Sequence, residues 1–315
     1  MNVVMRALLS TPLLFLVVSC GAGDDAPRLA RETRRSEPKA QGLYDEGLAA
    51  EKAGKTKKAI KRYREVTQKY PLFMSADKAA FRRGKLLDQT GEPLEAFNAF
   101  NDVLTKYPAS VHYVDSMKRQ EKIALDTANG KIRESFIGLV ETRVSVKETA
   151  KMLTQVRENA PRAASGELAQ FTLGRLYQEE GGAMNSDRAI AAFRELTRDY
   201  PDSKYASEAQ YQIGKILLSS SKKGNQDSAN LDRAKRAFED VLIGYPNSKQ
   251  AAKAKTELAG ISSGEIKRTF DIAEFYRKKG NLSSALFYYQ ETVNRSKSGP
   301  LHDKAKRQIK DLSKP

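Results

Sequence analysis

Few residues in this chain could do chemistry. One thiol, Cys20, and two imidazoles, His112 and His302, are the whole stock of thiol and imidazole groups in 315 residues. Neither histidine has another His or a Cys near it in sequence, so nothing foreshadows a zinc site or a Cys–His nucleophile. A lone Cys also excludes an intramolecular disulfide. Gly84-Lys85 and Gly214-Lys215 lack the upstream glycine and the following Ser or Thr of a phosphate loop. No Gly-x-Ser-x-Gly, His-Glu-x-x-His or Gly-x-Gly-x-x-Gly occurs, and the acid pair Glu179-Glu180 reads as a solvated helix end. The expectation is a chain with no catalytic residue, no metal and no cofactor, and hence not an enzyme.

Cys20 is the exception, because of where it lies. Arg6 precedes an apolar run from Ala7 to Val18 that is interrupted only by Ser10, Thr11 and Pro12. That run is too short to span a bilayer, which takes about 20 residues, and it suits a secretory signal peptide over residues 1–19. It closes on Val17-Val18-Ser19-Cys20-Gly21. This resembles the bacterial lipobox, in which the Cys after a small residue takes a diacylglycerol thioether and becomes the lipidated first residue. The resemblance implies a lipid anchor at Cys20, with palmitate among its acyl chains. Gly21, where Asp would favour inner-membrane retention, implies the outer membrane. Residues 20–40 then read as a polar, flexible tether with a reach of about 25 Å.

The net charge of +16 is uneven: residues 166–265 sum to zero, whereas residues 266–315 carry +7. A basic surface of this kind can meet nucleic acid, anionic lipid or an acidic protein partner. Export argues against nucleic acid.

The elements that must position any binding surface show themselves as repeats. Tyr-Pro recurs at 70–71, 107–108, 200–201 and 245–246. Counting back from the Pro gives Gly47, Gly54, Ala59, Tyr63 and Pro71, then Gly84, Gly91, Ala96, Phe100 and Pro108 at identical spacing. Later copies hold Leu173, Gly174, Ala189, Phe193 and Pro201, then Ile213, Gly214, Ala234, Phe238 and Pro246. The last copy has Ile272, Ala273, Gly280, Ala285 and Tyr289, with Lys297 where Pro would fall. Small residues on paired helices allow close approach, and an aromatic one turn beyond the second small residue fills the space between them. Gly54, Gly91 and Gly280 mark the turns, and Pro ends each second helix. Ser110, Ser203 and Ser248 are placed to cap the next helix.

These spacings resemble the tetratricopeptide repeat, a unit of two antiparallel helices. The resemblance implies an all-α, superhelical tetratricopeptide-repeat solenoid of about five to six helical hairpins. Residues 41–110 form the N-terminal repeats, 111–161 a degenerate helical hairpin with a loop near Asn129-Gly130, and 162–312 the C-terminal repeats. Residues 218–232 should lengthen the turn of the fourth clear copy.

Within such repeats the first helices line a groove. The residue three before the small position is aromatic in every copy: Tyr44, Phe81, Phe171, Tyr211 and Phe270. Basic residues follow the small position at Lys85, Arg175 and Lys215. Two readings stand: aromatics packed between helices, or an aromatic groove with a basic centre that takes an extended peptide bearing aromatic side chains and a carboxylate. A second candidate is the basic run Arg277, Lys278 and Lys279 with Lys306 and Arg307, read as a docking surface or as a solvated face.

A lipobox, a short tether and Tyr-Pro-x-Ser repeats are similar to the BamD-type lipoproteins of the outer-membrane β-barrel assembly machinery. The segment IAEFYRKKGNLSSALFYYQETV carries the resemblance most specifically. It implies a periplasm-facing outer-membrane scaffold that docks the barrel-forming assembly subunit and receives unfolded outer-membrane proteins. The alternative is a periplasmic repeat protein resembling CpoB, which coordinates envelope or cell-division complexes and normally lacks the anchor, so Cys20 separates the two.

Overall fold

A computed structural model describes residues 28–136, 140–223 and 228–313. The signal peptide and Cys20 lie outside the described residues. The chain divides into two compact units, one ending at Leu86 and the other starting at Leu87.

In the first unit, helix α1 (Arg28–Lys52) and helix α2 (Thr56–Lys69) form a hairpin, followed by the start of α3 (Ala76–Gln89). The chain reverses at Gly54, whose φ of +68° lies in the left-handed region that glycine adopts without a Cβ penalty. Ala59, Tyr63 and Val66 are fully buried. A Cβ on Gly47 would stand 2.6 Å from the Tyr63 ring, so only glycine lets α1 approach α2 this closely. The Tyr63 hydroxyl donates to Glu51 at 2.6 Å, and Arg82 reaches the same carboxylate at 3.1 Å. Part of the expected tether is ordered, because α1 begins at Arg28 and takes in residues 28–40. Ala40 and Tyr44 are packed, and an Arg- and Glu-rich run continues the helix toward Arg28 across Pro38, which lies inside it and lacks the N–H of a helical hydrogen bond.

The second unit continues with α4 (Pro93–Lys106), α5 (Tyr113–Ala128), α6 (Val146–Asn159), α7 (Ala164–Glu180) and α8 (Ala183–Asp199). It closes with α9 (Ala206–Lys223), α10 (Ser228–Gly244), α11 (Lys249–Lys278), α12 (Leu282–Arg295) and α13 (Pro300–Leu312). From α4 onward each helix packs on the next. Pro93 occupies the first turn of α4, where its missing N–H costs nothing. Ser248 caps α11 by accepting the Ala251 N–H at 3.1 Å. Ser110 and Ser203 act earlier than expected: their hydroxyls accept the N–H of His112 and Tyr205, closing a turn ahead of α5 and α9. Among the described residues no helix is long and apolar enough to cross a membrane.

Three departures from the repeat pattern take definite form. Between α5 and α6 the chain turns at Gly130, near the expected loop, and then forms a β-hairpin of β1 (Arg133–Phe136) and β2 (Val140–Arg143). The strands are antiparallel, with Arg133 opposite Arg143 and Phe136 opposite Val140. Of the insertion at 218–232, expected as a longer turn, residues 218–223 belong to α9 and 228–232 to α10, with Leu217, Leu218 and Ser221 buried and Leu231 packed on that core; residues 224–227 lie outside the described residues. Finally, α11 runs unbroken through 30 residues and joins two separate cores. One core ends at Ile261; the other is built around Ala273, Ala285, Tyr289 and Ala305.

The degenerate hairpin is tied in by amides. Asn159 Nδ2 donates to Asn101 Oδ1 and Gln120 Oε1, each at 2.9 Å, and Gln120 Nε2 donates to Asn101 Oδ1 at 2.9 Å. This triad fastens α6 to α4 and α5 where the repeat ladder of small and aromatic residues is missing.

Candidate protein-binding site

The groove residues separate into buried and accessible ones. In the first unit Tyr44 is 8% exposed and packs against Tyr63 and Phe73, at ring distances of 5.9 and 6.1 Å. Phe81 is equally buried, with the Lys85 ammonium 5.9 Å from its ring centre. In the second unit Tyr211 is 9% exposed and lies 5.7 Å from Phe238. Phe270 meets Tyr289 at 5.6 Å. Tyr44, Tyr211 and Phe270 thus lean on the aromatic of the returning helix, the geometry expected of packing between helices. Tyr44, Phe81 and Tyr211 are buried, which favours the first of the two readings, aromatics packed between helices.

Lys215 and Tyr211 are held by one carboxylate. Glu257 on α11 accepts from Lys215 Nζ at 2.9 Å and from the Tyr211 hydroxyl at 3.1 Å. The hydrogen bond from Lys215 is the main reason Glu257 is held below the usual carboxylate range. Burial, reinforced by Glu257, pushes Tyr211 up to about 12.

Phe171 and Arg175 are placed differently. They line a cleft of about 290 Å³ between the end of α5 and the face of α7. Leu125, Leu168 and Leu176 form its apolar wall, and Tyr205 closes it by stacking on Phe171, 4.9 Å between centres and 18° between planes. Arg175 and Glu179, both more than half exposed, pair along the rim of α7. A cleft with an aromatic stack, an aliphatic wall and an exposed, exchangeable guanidinium suits an apolar side chain next to a carboxylate. Spacing alone did not single out Tyr205, which follows Ser203 at the hairpin junction and belongs to no repeat position on a first helix.

Gln170 and Gln210 were also missed. Each lies four residues before its repeat glycine and donates to the carbonyl just ahead of the returning helix's aromatic, Ala192 at 2.8 Å and Ala237 at 3.2 Å. Their identical offset from Gly174 and Gly214 was the available signal. Arg157 joins Gln170 to Glu195, linking α6, α7 and α8.

At the C-terminal end the basic run proves to be a mixed surface. Arg277 pairs with Glu274 at 2.9 Å, whereas Lys278, Lys279, Lys306 and Arg307 are exposed. Beside them lie Phe275, Leu282 and Phe287, 54%, 47% and 60% exposed. Phe275, Tyr276, Tyr288 and Phe287 form a continuous ladder of rings spaced 5.2–5.6 Å across α11 and α12. Tyr289 below it is pushed up to about 12 by burial and by its hydrogen bond to Glu274.

Two tetratricopeptide-repeat family profiles match the sequence, over residues 44–111 and 168–203. Similar solved structures include a tetratricopeptide-repeat protein from Bacteroides fragilis, at 16% identity and TM-score 0.37, covering 87% of this chain and 97% of that one. Another, from Parabacteroides merdae, has 13% identity and TM-score 0.31, covering 87% and 99%. MamA from Desulfovibrio magneticus has 15% identity and TM-score 0.30, covering 67% and 97%. No curated protein matches the sequence. The matched stretches are tetratricopeptide repeats, and the fold is the all-α solenoid class built from them. Such repeats make the chain a protein-interaction scaffold.

Proposed function

We propose that this scaffold is an outer-membrane lipoprotein of BamD type, anchored through Cys20 and facing the periplasm. It binds the barrel-forming assembly subunit and unfolded outer-membrane proteins during β-barrel assembly. Support for the protein-binding part comes chiefly from the cleft at Phe171, Arg175 and Tyr205. An extended, unfolded chain can seat one apolar or aromatic side chain against the stacked rings while Arg175 exchanges Glu179 for a carboxylate of the peptide. The aromatic ladder beside Lys278 and Lys279 is large and exposed enough to hold a folded subunit. The anchor rests on the sequence at Cys20, which also favours this reading over a CpoB-like periplasmic protein.

The test has two arms. Cys20→Ala should move the protein from the membrane fraction to the soluble fraction; retention in the membrane would remove the lipoprotein reading. Affinity capture from detergent-solubilised outer membrane should recover a β-barrel protein with periplasmic domains. Capture of cell-division or cell-wall proteins in its place would favour the CpoB-like alternative.

A further inference from the structure

A cleft larger than the one at Phe171 lies elsewhere in the second unit, and two glycines keep it open. Counting thirteen residues from the closing proline gives Gly174 after Pro161 and Gly214 after Pro201. The same count from Pro246 gives Ala259 on α11. In this register the residue after the small position is Arg175 on α7 and Lys215 on α9, and four residues beyond Arg175 is Glu179. On α11 the corresponding residues are Gly260 and Gly264. Where α7 carries Arg175 and Glu179 and α9 carries Lys215, α11 presents bare backbone.

Glycine inside a helix is costlier than any residue except proline. Gly47, Gly174 and Gly214 have a reason to be there, since a Cβ on any of them would strike an aromatic ring at 2.5–2.6 Å. Gly260 and Gly264 have none within the chain: a Cβ on either would meet nothing within 4 Å. They leave open a cleft of about 440 Å³ between the end of α9, the start of α10 and the middle of α11. Leu218, Leu231 and Ile261 give it an apolar floor. Two carboxylates line it, but both are already engaged: Glu257 by Lys215 at 2.9 Å and Glu265 by Lys235 at 2.5 Å. Lys222 and Arg268 also line it; Lys222 helps hold the Glu257 carboxyl low from a distance, and among the described residues neither cation forms a close ion pair.

We propose that this cleft is a second peptide site, separate from the one at Phe171, and that its occupant is an acidic segment of a partner protein. The partner main chain lies over Gly260 and Gly264, as glycine permits when another backbone must come close. An apolar side chain of the partner rests on Leu218, Leu231 and Ile261, and a neighbouring Asp or Glu sits between Lys222 and Arg268. The site depends on the protein-binding character of the fold and on neither the lipid anchor nor the outer-membrane role.

The probe is a fluorescein-labelled octapeptide of alternating Leu and Glu, titrated into the full-length protein and followed by anisotropy, with the Leu-Lys octapeptide as control. The Leu-Glu peptide should bind at least tenfold more tightly than the Leu-Lys peptide. In the Phe171→Ala protein, where the other cleft no longer competes for the probe, binding should persist, and Gly260→Leu, Gly264→Leu and the double change Lys222→Glu with Arg268→Glu should each weaken it at least tenfold. Gly260→Ala should raise the melting temperature, which confirms that the glycine serves no packing role in the isolated chain. Equal binding of both peptides, no binding of the Leu-Glu peptide, or unchanged binding by Gly260→Leu would overturn the proposal. So would loss of binding through Phe171→Ala, which would assign the peptide to the other cleft.

Discussion

Phe193 sits so close to Gly174 that a Cβ on the glycine would lie 2.5 Å from its ring. The same contact joins Gly214 to Phe238 in the second unit, and in the first unit Gly47 meets Tyr63 in the same way. It sets how near the two helices of a hairpin can come, and it lets the first-helix aromatic lean on the second, as Phe171 does on Phe193 at 5.8 Å. Gly174→Ala should therefore destabilise the protein by about 1–3 kcal/mol through overpacking, outweighing the roughly 1 kcal/mol that alanine gains in helix propensity. Urea unfolding followed by circular dichroism measures this. A neutral or stabilising result would mean that Phe193 moves aside freely.

The amide triad of Asn101, Gln120 and Asn159 makes a second prediction. Gln120 is fully buried, and Gln120→Leu removes its two hydrogen bonds while Asn159 and Asn101 keep the bond between them. The expected loss is about 1–2 kcal/mol, the net contribution of the hydrogen bonds removed. Thermal unfolding reports the overall loss, and hydrogen exchange across 113–159 should localise it.

Acid should loosen the attachment of α11 to α9. The carboxyl of Glu257 is held below its ordinary value mainly by the hydrogen bond from Lys215. A lowered pKa means that the folded state favours the charged form, so the stabilisation is complete above the ordinary glutamate value of about 4.3 and is lost as pH falls through the depressed folded value. Both partners are partly solvated, and the pair contributes no more than about 1 kcal/mol. Glu257→Gln should flatten the stability profile between about pH 5 and pH 3 and leave the profile near neutrality almost parallel to that of the parent. Identical acid slopes would assign the sensitivity to other carboxylates.

The cleft at α5 and α7 should respond to its rim charge. Arg175→Glu should weaken binding of peptides that combine an aromatic residue with a carboxylate by about tenfold, the effect of about 1.4 kcal/mol. The Lys85→Glu change serves as a comparison, since Lys85 is set against the buried Phe81. Fluorescence anisotropy with a labelled peptide decides. Equal affinities for Arg175→Glu and the parent would make Arg175 a solvated surface residue.

The repeat core could be read from sequence because its physics is local and periodic. Small residues, an aromatic one turn on, a turn glycine and a closing Tyr-Pro recur at fixed offsets, and Gly174 with Phe193 behaves as that pattern requires. What escaped the reading follows from its limits. The β-hairpin at 133–143 comprises two four-residue strands with little alternation, between helices whose period dominates any longer window. Residues 218–232 are rich in Ser, Asn, Lys and Asp and look like a loop, yet 218–223 and 228–232 are helical, with Leu218 buried and Leu231 half-buried. The site was half legible. Residue type and spacing marked Phe171 and Arg175, whereas Tyr205 and the ring ladder at Phe275 and Phe287 depend on neighbours brought together only by folding.

The unbroken course of α11 has a mechanical consequence. Thirty residues at about 1.5 Å each make a rod of roughly 45 Å. Between Ile261 and Phe270 that rod contributes no residue to either core, and α11 is the element the two cores share. Torque applied to the aromatic ladder at Phe275 and Phe287 passes along the backbone hydrogen bonds of 262–269, with no flexible loop to absorb it. A partner seated on the last hairpin is therefore held at a set distance and angle from whatever occupies the cleft beside Gly260, as two tools are clamped to one shaft.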